Sequence, residues 1–492
     1  MIYLVVFIGL ILRLITINQS LWLDEAIGAI AAREMSVYQM FESFFTVDNH
    51  PPLYYLLLKL WTSIFGYSEF SLRFPSILFS LLTIYLVYKI ALLIQRLEKD
   101  DHKPMRSVGL FTYPTVAALL LAISQFNIYF SQEARMYSMA AFFASLLVYF
   151  FIKLYTVRVS WFYMLGFSLA LLCLGTTDYL PYFLILTIAL FALVKKSSWK
   201  WLFNVYTCFI PLAVFWVFWF TTFSRQSQGG SWLVTTLPAW KNLAGGATLK
   251  QLILVWIKFI LGRVSFVNKY VYVALAFLFS LPYATSLILA FRNRNKRGIL
   301  WLWMTAPLFL SYLTSFVVPS FAYFRFLFVY PAFVLIVAWG LVNIKNELAK
   351  KLVFYSIVIS ALFSCIYYYG NSSQQRENWR GAVAFVEGNI QRSEVAIFEY
   401  PEPFAPYRWY EKRPAFSIGV TDSISAGSEE TRDILIKTIN TKTGIYYFDY
   451  LHDLSDPQDI VRKTLTEQKF SAKEIVSFSG VGQIYHYRKD SL

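Results

Sequence analysis

A succession of long apolar runs constrains this chain more than any other feature. A helix needs about 20 apolar residues to cross the hydrocarbon core of a bilayer. Such runs cover residues 1–17, 72–95, 107–130, 134–153, 160–176, 179–195, 200–221, 270–291, 299–318, 323–342 and 352–369, which predicts about eleven crossings. Residues 1–17 have the length of a signal peptide, but no small-residue cleavage site follows them, so they read as the first crossing. Composition agrees: 57% of residues are hydrophobic and 15% charged, where a soluble domain has roughly 45–50% and 25%. So few charges cannot cover a water-facing surface. A disordered chain, a coiled coil and a soluble enzyme are excluded.

The net charge of +15 is unevenly placed. Residues 370–492 hold 15 Lys and Arg against 17 Asp and Glu, whereas residues 1–369 hold 29 against 12. The positive excess therefore belongs to membrane loops, where basic residues set orientation, and is not a nucleic-acid surface. The eleven-crossing count puts five basic loops on one side. They carry Arg96, Lys99, Lys103 and Arg106; Lys153 and Arg158; Lys195, Lys196 and Lys200; Arg292, Arg294, Lys296 and Arg297; and Lys345, Lys350 and Lys351. That side reads as cytoplasmic, and the tail lies outside.

The apolar stretch Pro51–Gly66 would invert every later loop if it crossed. It is expected to lie along the outer interface or to re-enter. Leu249–Leu261, in which Lys250 and Lys258 punctuate a Leu/Ile/Trp face, is also expected to be interfacial. The fold class is thus an α-helical polytopic membrane protein over 1–369 with outer juxtamembrane helices, plus a small extracytoplasmic α/β domain over 370–492. In that domain Val395–Tyr400 and Gly444–Tyr450 read as strands and Trp379–Asn389 as a helix. Cys173, Cys208 and Cys365 sit in apolar runs without metal spacing and read as core residues.

Eight of the twelve acidic residues of the membrane part fall on the outer side: Asp24, Glu25, Glu34, Glu42, Asp48, Glu69, Glu133 and Asp178. Charges near membrane depth cost about 2.5–3.5 kcal/mol on insertion scales, so each needs a partner or a purpose. Plain readings exist for each cluster. Asp24 and Glu25 suit the first turn of a short helix over 25–35. His50 before Pro51-Pro52-Leu53-Tyr54 suits a helix start. Glu133 and Arg135, in Gln132-Glu133-Ala134-Arg135-Met136-Tyr137, can neutralise each other. Asp178 in Thr177-Asp178-Tyr179 suits a turn, and Arg325 in Tyr323-Phe324-Arg325 suits snorkelling to lipid phosphate. Together they gather acids, a His, arginines and tyrosines at one membrane face.

In order and spacing these motifs resemble the GT-C superfold of polyprenyl-phosphate-sugar glycosyltransferases. The nearest resemblance is to glycosyltransferase family 39, with its protein O-mannosyltransferases and lipid A aminoarabinose transferases. It is carried by Asp24-Glu25, His50-Pro51-Pro52-Leu53-Tyr54, Arg73, the 132–137 motif, Tyr323-Phe324-Arg325 before the Pro331 helix, and Asn378-Trp379-Arg380-Gly381-Ala382, over about residues 1–390. Two departures stand out. Family members often carry a His or Tyr pair where this chain has Thr177-Asp178-Tyr179, and the chain has no large soluble repeat module.

The resemblance implies a mannosyltransferase-like hexosyl or pentosyl transferase, with inversion, in a bacterial cytoplasmic membrane and active on its outer face. Its partners would be membrane lipid, a polyprenyl-phosphate sugar and a protein, lipid or glycan acceptor. Asp24 would be the base, with Glu25 beside it. Arg135, Arg325 and Tyr323 would hold the donor phosphate. His50, Glu133, Tyr54, Tyr137 and Asp178 would line the sugar and acceptor pocket. Some relatives use a divalent cation, which Asp24 and Glu25 would hold here. The alternative is a transporter or flippase of lipid-linked sugars, but transporters usually keep their polar site near the midplane, where this chain has few acids. A third reading is an inert anchor for the tail.

Overall fold

The computed structural model describes residues 1–98, 111–156, 159–195, 198–292 and 298–489. Lys99, Lys103, Arg106, Arg158, Lys196, Arg294, Lys296 and Arg297 of the basic loops lie outside the described residues. The chain divides into two compact units. The first comprises Met1–Ile17, Ser36–Ser231 and Ala244–Gly370; the second comprises Asn18–Met35, Trp232–Leu243 and Asn371–Leu492.

The first unit is helical, and each apolar run becomes a helix or a bent helix pair. Glu69–Leu97, Tyr137–Thr156, Lys269–Arg292 and Glu347–Gly370 are long and apolar enough to cross a membrane unaided. Two more runs are broken: Tyr113–Ile123 meets Gln125–Ser131 at 58°, and Trp199–Thr207 meets Ile210–Thr236 at 40°. The other five form the shorter apolar helices Ile2–Leu14, Trp161–Gly175, Tyr182–Val194, Gly298–Thr314 and Tyr330–Val342. Large apolar side chains such as Val217, Phe218 and Phe277 stand exposed, as lipid-facing residues do. The chain is an integral membrane protein.

The break at Ser124 has a definite cause. An interrupted helix leaves carbonyls without their usual amide partner. Buried Arg13 supplies donors there, from Nη1 to Ala122 O at 3.0 Å and to Gly9 O at 2.8 Å, from Nη2 to Asn127 Oδ1 at 2.5 Å, and from Nε to Ser80 Oγ at 2.9 Å. Just beyond the second half, Gln132 Nε2 donates to Arg13 O at 2.9 Å, and Tyr368 donates to Gln132 Oε1 at 3.1 Å. The turn carrying Glu133 and Arg135 is thereby anchored. Leu53–Phe65 begins after Pro52 and ends at Gly66, whose φ of 78° suits a residue without Cβ.

The second unit carries a five-stranded sheet: β1 (Glu394–Phe398), β2 (Ser417–Gly419), β3 (Gly444–Asp449), β4 (Phe470–Phe478) and β5 (Gly482–Lys489), in the order β2-β1-β3-β5-β4. β1 runs parallel to β2 and β3, while β5 is antiparallel to β3 and β4. Side-chain alternation splits β1 between two cores. Ala396 and Phe398 join Trp379 and Phe448 on one face; Val395 and Ile397 join Leu435, Ile445 and Leu465 on the other. The expected strands and the expected helix are present, and the sheet is that of a small α/β domain.

Candidate active site

In the first unit a buried polar relay surrounds the His50 motif. His50 Nδ1 and Asp48 Oδ1 are 2.8 Å apart; the Tyr55 hydroxyl donates to Asp48 Oδ2 at 3.0 Å, and Arg135 Nη1 donates to that hydroxyl at 3.0 Å. Arg135 is 4% exposed and Asp48 13%. Burial pushes the Asp48 carboxyl up, but His50, Arg135 and the Tyr55 hydrogen bond outweigh it and hold the group below its ordinary value. The loop is clamped by Gln226, whose Nε2 donates to the carbonyls of Phe45 (2.7 Å), Asp48 (2.6 Å) and His50 (3.2 Å). Its Oε1 accepts from Tyr179 at 2.5 Å, and Tyr179 accepts from Trp219 Nε1 at 2.7 Å. Asp178 is a turn residue, accepting from Leu180 N at 3.5 Å. Tyr54, Glu133 and Tyr137 are all buried, and Tyr137 packs edge-on against Phe130 and Phe324.

A second cationic group surrounds Tyr323. Tyr323 and Arg325 lie in the short turn Tyr323–Phe326, both half-buried. Lys258 Nζ stands over the Tyr323 ring at 5.8 Å and the Tyr272 ring at 5.4 Å, and donates to Val264 O at 2.7 Å. Burial, then the neighbouring Arg263, lower the Lys258 ammonium to about 7. Gly262 lets the chain pass against Gln125, so that Arg263 N donates to Gln125 Oε1 at 2.6 Å. The Arg263 guanidinium covers the Tyr129 ring at 4.7 Å.

Asp24 and Glu25 belong to the second unit. They open the helix Leu23–Glu34, where the helix dipole favours acids. Asp24 is half-buried; Glu25 is fully buried, with Oε2 accepting from Trp22 N at 3.4 Å. The preceding residues are strapped to the tail. The Ser20 hydroxyl donates to Glu377 O, Leu21 N to the Tyr410 hydroxyl at 2.8 Å, Arg376 N to Gln19 Oε1 at 2.7 Å, and Arg380 Nη2 to Asn18 O at 3.2 Å. Leu23 packs on the Trp379 core, and the Arg33 guanidinium covers Trp409 at 4.1 Å. The Glu377 carboxylate accepts from Trp379 Nε1 at 2.7 Å and from Tyr450 at 3.1 and 3.2 Å. Burial, with a further push from Asp24, raises Glu377 to about 6.

Asp24 and Glu25 are consecutive residues of one helix, whose side chains leave the axis about 100° apart. Among the described residues one group brings His and carboxylate ligand atoms within 4.8 Å of one another: Glu399, His452 and Asp456. There Glu399 meets His452 Nδ1 at 3.0 Å, and Asp456 accepts from Ile460 N and Val461 N at 2.9 and 2.8 Å. These contacts tie together the chain after β1 and β3.

Asp48 drew notice in the sequence only as one of eight outer acids. Tyr55 was signalled by adjacency to Tyr54. Gln226, Arg263 and Glu377 have no motif of their own, and Lys258 read as part of an interfacial face.

Residues 49–97 match the profile of the dolichyl-phosphate-mannose-protein mannosyltransferase family. No curated protein matches the sequence. Among solved structures, ArnT from Cupriavidus metallidurans bound to undecaprenyl phosphate superposes with a TM-score of 0.55 at 12% identity, over 98% of this chain and 97% of that one. The apo oligosaccharyltransferase of Archaeoglobus fulgidus gives 0.53 at 12% identity, over 100% of this chain and 74% of that one. These likenesses establish the fold, which is the GT-C glycosyltransferase fold that the motifs resemble.

Proposed function

We propose that the chain moves one sugar from a polyprenyl phosphate to a hydroxyl acceptor at the outer face of a bacterial cytoplasmic membrane. The observation that carries this reading is the buried relay His50–Asp48–Tyr55–Arg135, of which His50 and Tyr55 lie in the segment 49–97 that matches a mannosyltransferase profile. The whole-length fold of ArnT, solved with undecaprenyl phosphate, supports a lipid-linked donor.

In the reaction, the acceptor oxygen attacks the anomeric carbon as the bond from that carbon to phosphate oxygen breaks. The acceptor proton passes to the Asp24 carboxylate, and polyprenyl phosphate leaves with the electron pair. One in-line displacement inverts the anomeric centre. Phosphate is a weakly basic leaving group and needs cations more than a proton donor. Arg135 and Arg325 supply bidentate donors for it, with Tyr323 donating and Lys258 adding charge. Asp48 keeps Tyr55 and Arg135 in register. His50, Glu133, Tyr54 and Tyr137 line the sugar and acceptor pocket, with Asp178 shaping its edge and Glu25 fixing the helix start beneath Asp24.

The test is transfer of radiolabelled sugar from polyprenyl-phosphate mannose, glucose or arabinose by the purified protein in detergent. Wild type releases label from at least one donor, and Asp24→Asn lowers the rate by about 10²–10⁴, the usual worth of a general base. Equal rates would remove Asp24 as the base. No release from any donor, together with lipid-linked sugar crossing liposomes, would favour transport.

A further inference from the structure

Three backbone carbonyls around the His50 loop converge on one atom. Gln226 Nε2 lies 2.7 Å from Phe45 O, 2.6 Å from Asp48 O and 3.2 Å from His50 O, although it stands 176 to 181 residues further along the chain. An amide nitrogen carries two hydrogens, so one of them is shared between two carbonyls. Gln226 lies on the helix Ile210–Thr236 and is 3% exposed. Neither the expected site nor the transfer step uses its side chain. Nor do they use Tyr179, from the turn Thr177-Asp178-Tyr179.

A one-way chain of hydrogen bonds decides which end of the amide faces the loop. An indole N–H can only donate. Trp219 Nε1 donates to the Tyr179 hydroxyl at 2.7 Å, so that hydroxyl gives its own hydrogen to Gln226 Oε1 at 2.5 Å. Nε2 is then left to face the carbonyls. Turning the amide over would set its oxygen against three carbonyl oxygens and leave the Tyr179 hydroxyl facing N–H donors. Trp219 is itself held in place, buried edge-on against Phe41 and Phe45 and stacked on Phe215. The far end of the loop is tied to the same turn as Tyr179, because Leu53 N donates to Thr176 O at 3.0 Å.

We propose that Gln226 is a positioning residue of the transfer reaction: oriented by Trp219 and Tyr179, it pins the Asp48–His50 backbone and, through Asp48 and Tyr55, sets the Arg135 guanidinium for the donor phosphate. This rests on the reading of Arg135 as a ligand of that phosphate. Asp48 and His50 meet through their side chains at 2.8 Å, and their two carbonyls share one donor. With both carbonyls pinned, the Asp48 carboxylate keeps its direction towards the Tyr55 hydroxyl, which accepts from Arg135 Nη1. A guanidinium recognises phosphate by the direction of its N–H groups, so its orientation matters as much as its charge. Asp48 supplies the charge and Gln226 the order.

The experiment uses the full-length protein in detergent. It reads donor KM with the donor that wild type uses, the Kd for undecaprenyl phosphate, and hydrogen exchange over residues 45–50. Gln226→Met keeps much of the volume and loses the donors. It raises donor KM and the undecaprenyl phosphate Kd about tenfold, as a misplaced ligand does, and it speeds exchange over 45–50 but not in Tyr137–Thr156. Loss of folded protein would instead lower kcat and leave both constants alone. On top of Asp48→Asn, Gln226→Met raises donor KM less than about twofold further, because the group it positions is already gone. Tyr179→Phe frees the amide to turn over; it raises both constants about threefold by itself and adds nothing to Gln226→Met. Unchanged constants in Gln226→Met, or a full tenfold rise on top of Asp48→Asn, overturns the proposal. Where Gln226→Met does not fold, Tyr179→Phe alone and combined with Asp48→Asn carries the test in the same way. The transferase reading fails separately, by a wild type that releases sugar from no donor. The undecaprenyl phosphate Kd and the loop exchange then decide whether Gln226 positions Arg135.

Discussion

Asp48 and Glu377 are both largely buried carboxylates, one in each unit, and their environments push them in opposite directions. Asp48 faces His50 and, through Tyr55, the Arg135 guanidinium, and it is held below the ordinary carboxylate value. Glu377 accepts from an indole and a phenol, and burial, with a push from Asp24 that Arg376 opposes, raises it to about 6. Burial acts on both in the same direction, so the difference comes from the charge of the neighbours. An anion placed near a guanidinium organises it. The first arrangement suits a group that holds donors for a phosphate.

The severest way to break this comparison is Asp48→Asn. The amide cannot match the charge of Arg135, and one of its two positions presents donors where Tyr55 also donates. Transfer is expected to fall about 100-fold, in the range seen when a preorganised electrostatic group is lost, with donor KM raised. Stability responds too. A carboxyl held below its ordinary value stabilises the fold above that value, and the contribution is lost as pH falls through the folded value. Wild type should therefore lose thermal stability below about pH 4 more steeply than Asp48→Asn does. Equal slopes in a thermal-shift series from pH 3 to 6 would show that Asp48 is not an organised anion.

Much of this architecture is legible in the residues. Apolar runs become helices because a backbone at membrane depth must satisfy its own hydrogen bonds. The short runs at 394–398 and 444–449 become strands buried on both faces. The length of single helices is less legible. Ile2–Leu14 has 13 residues, about 20 Å, against about 30 Å of hydrocarbon, so the count of crossings rests on loop parity as much as on length. The motifs exposed His50, Arg135 and Asp24 because their neighbours carry polar signals. They could not expose Gln226, which acts through three backbone carbonyls. Nor could they show that Asn18–Met35 fold with residues beyond 370, since pairing across such a separation leaves no local pattern. Lys258 was visible as a charge, but only its packing against Tyr272, Tyr323 and Val264 reveals its burial.

Lys258 sharpens the contrast from the cationic side. Burial and Arg263 lower it to about 7, so its charge is present below that pH and lost above it. If it helps hold donor phosphate, donor KM rises as pH climbs through about 7, while a bound phosphate draws the group back towards the charged form. Lys258→Met should raise donor KM about tenfold at pH 6, as the loss of a charge-assisted hydrogen bond of about 1.4 kcal/mol would. It should also flatten the alkaline rise. A KM that climbs identically in the variant would assign the pH dependence to another group.

The smallest effect on transfer is expected at Glu399, which resembles Glu377 in being raised but faces a different partner. Burial raises it to about 7, opposed by hydrogen bonds from Tyr447 and by His452. Its folded value lies above the unfolded one of about 4.3. The native state therefore binds the extra proton between those values. Its contribution to stability is full below the unfolded value and is lost as pH rises through about 7. Glu399→Gln should remove that decline, a difference on the order of 2 kcal/mol across the window, and leave sugar transfer within about twofold. The measurement is hydrogen exchange of the β1 and β3 amides at pH 5 and pH 8, which reports opening of this sheet rather than of the membrane helices. A pH-independent protection ratio in wild type would mean that Glu399 keeps its charge through its pairing with His452. A fall in transfer with protection unchanged would draw this carboxylate into the reaction.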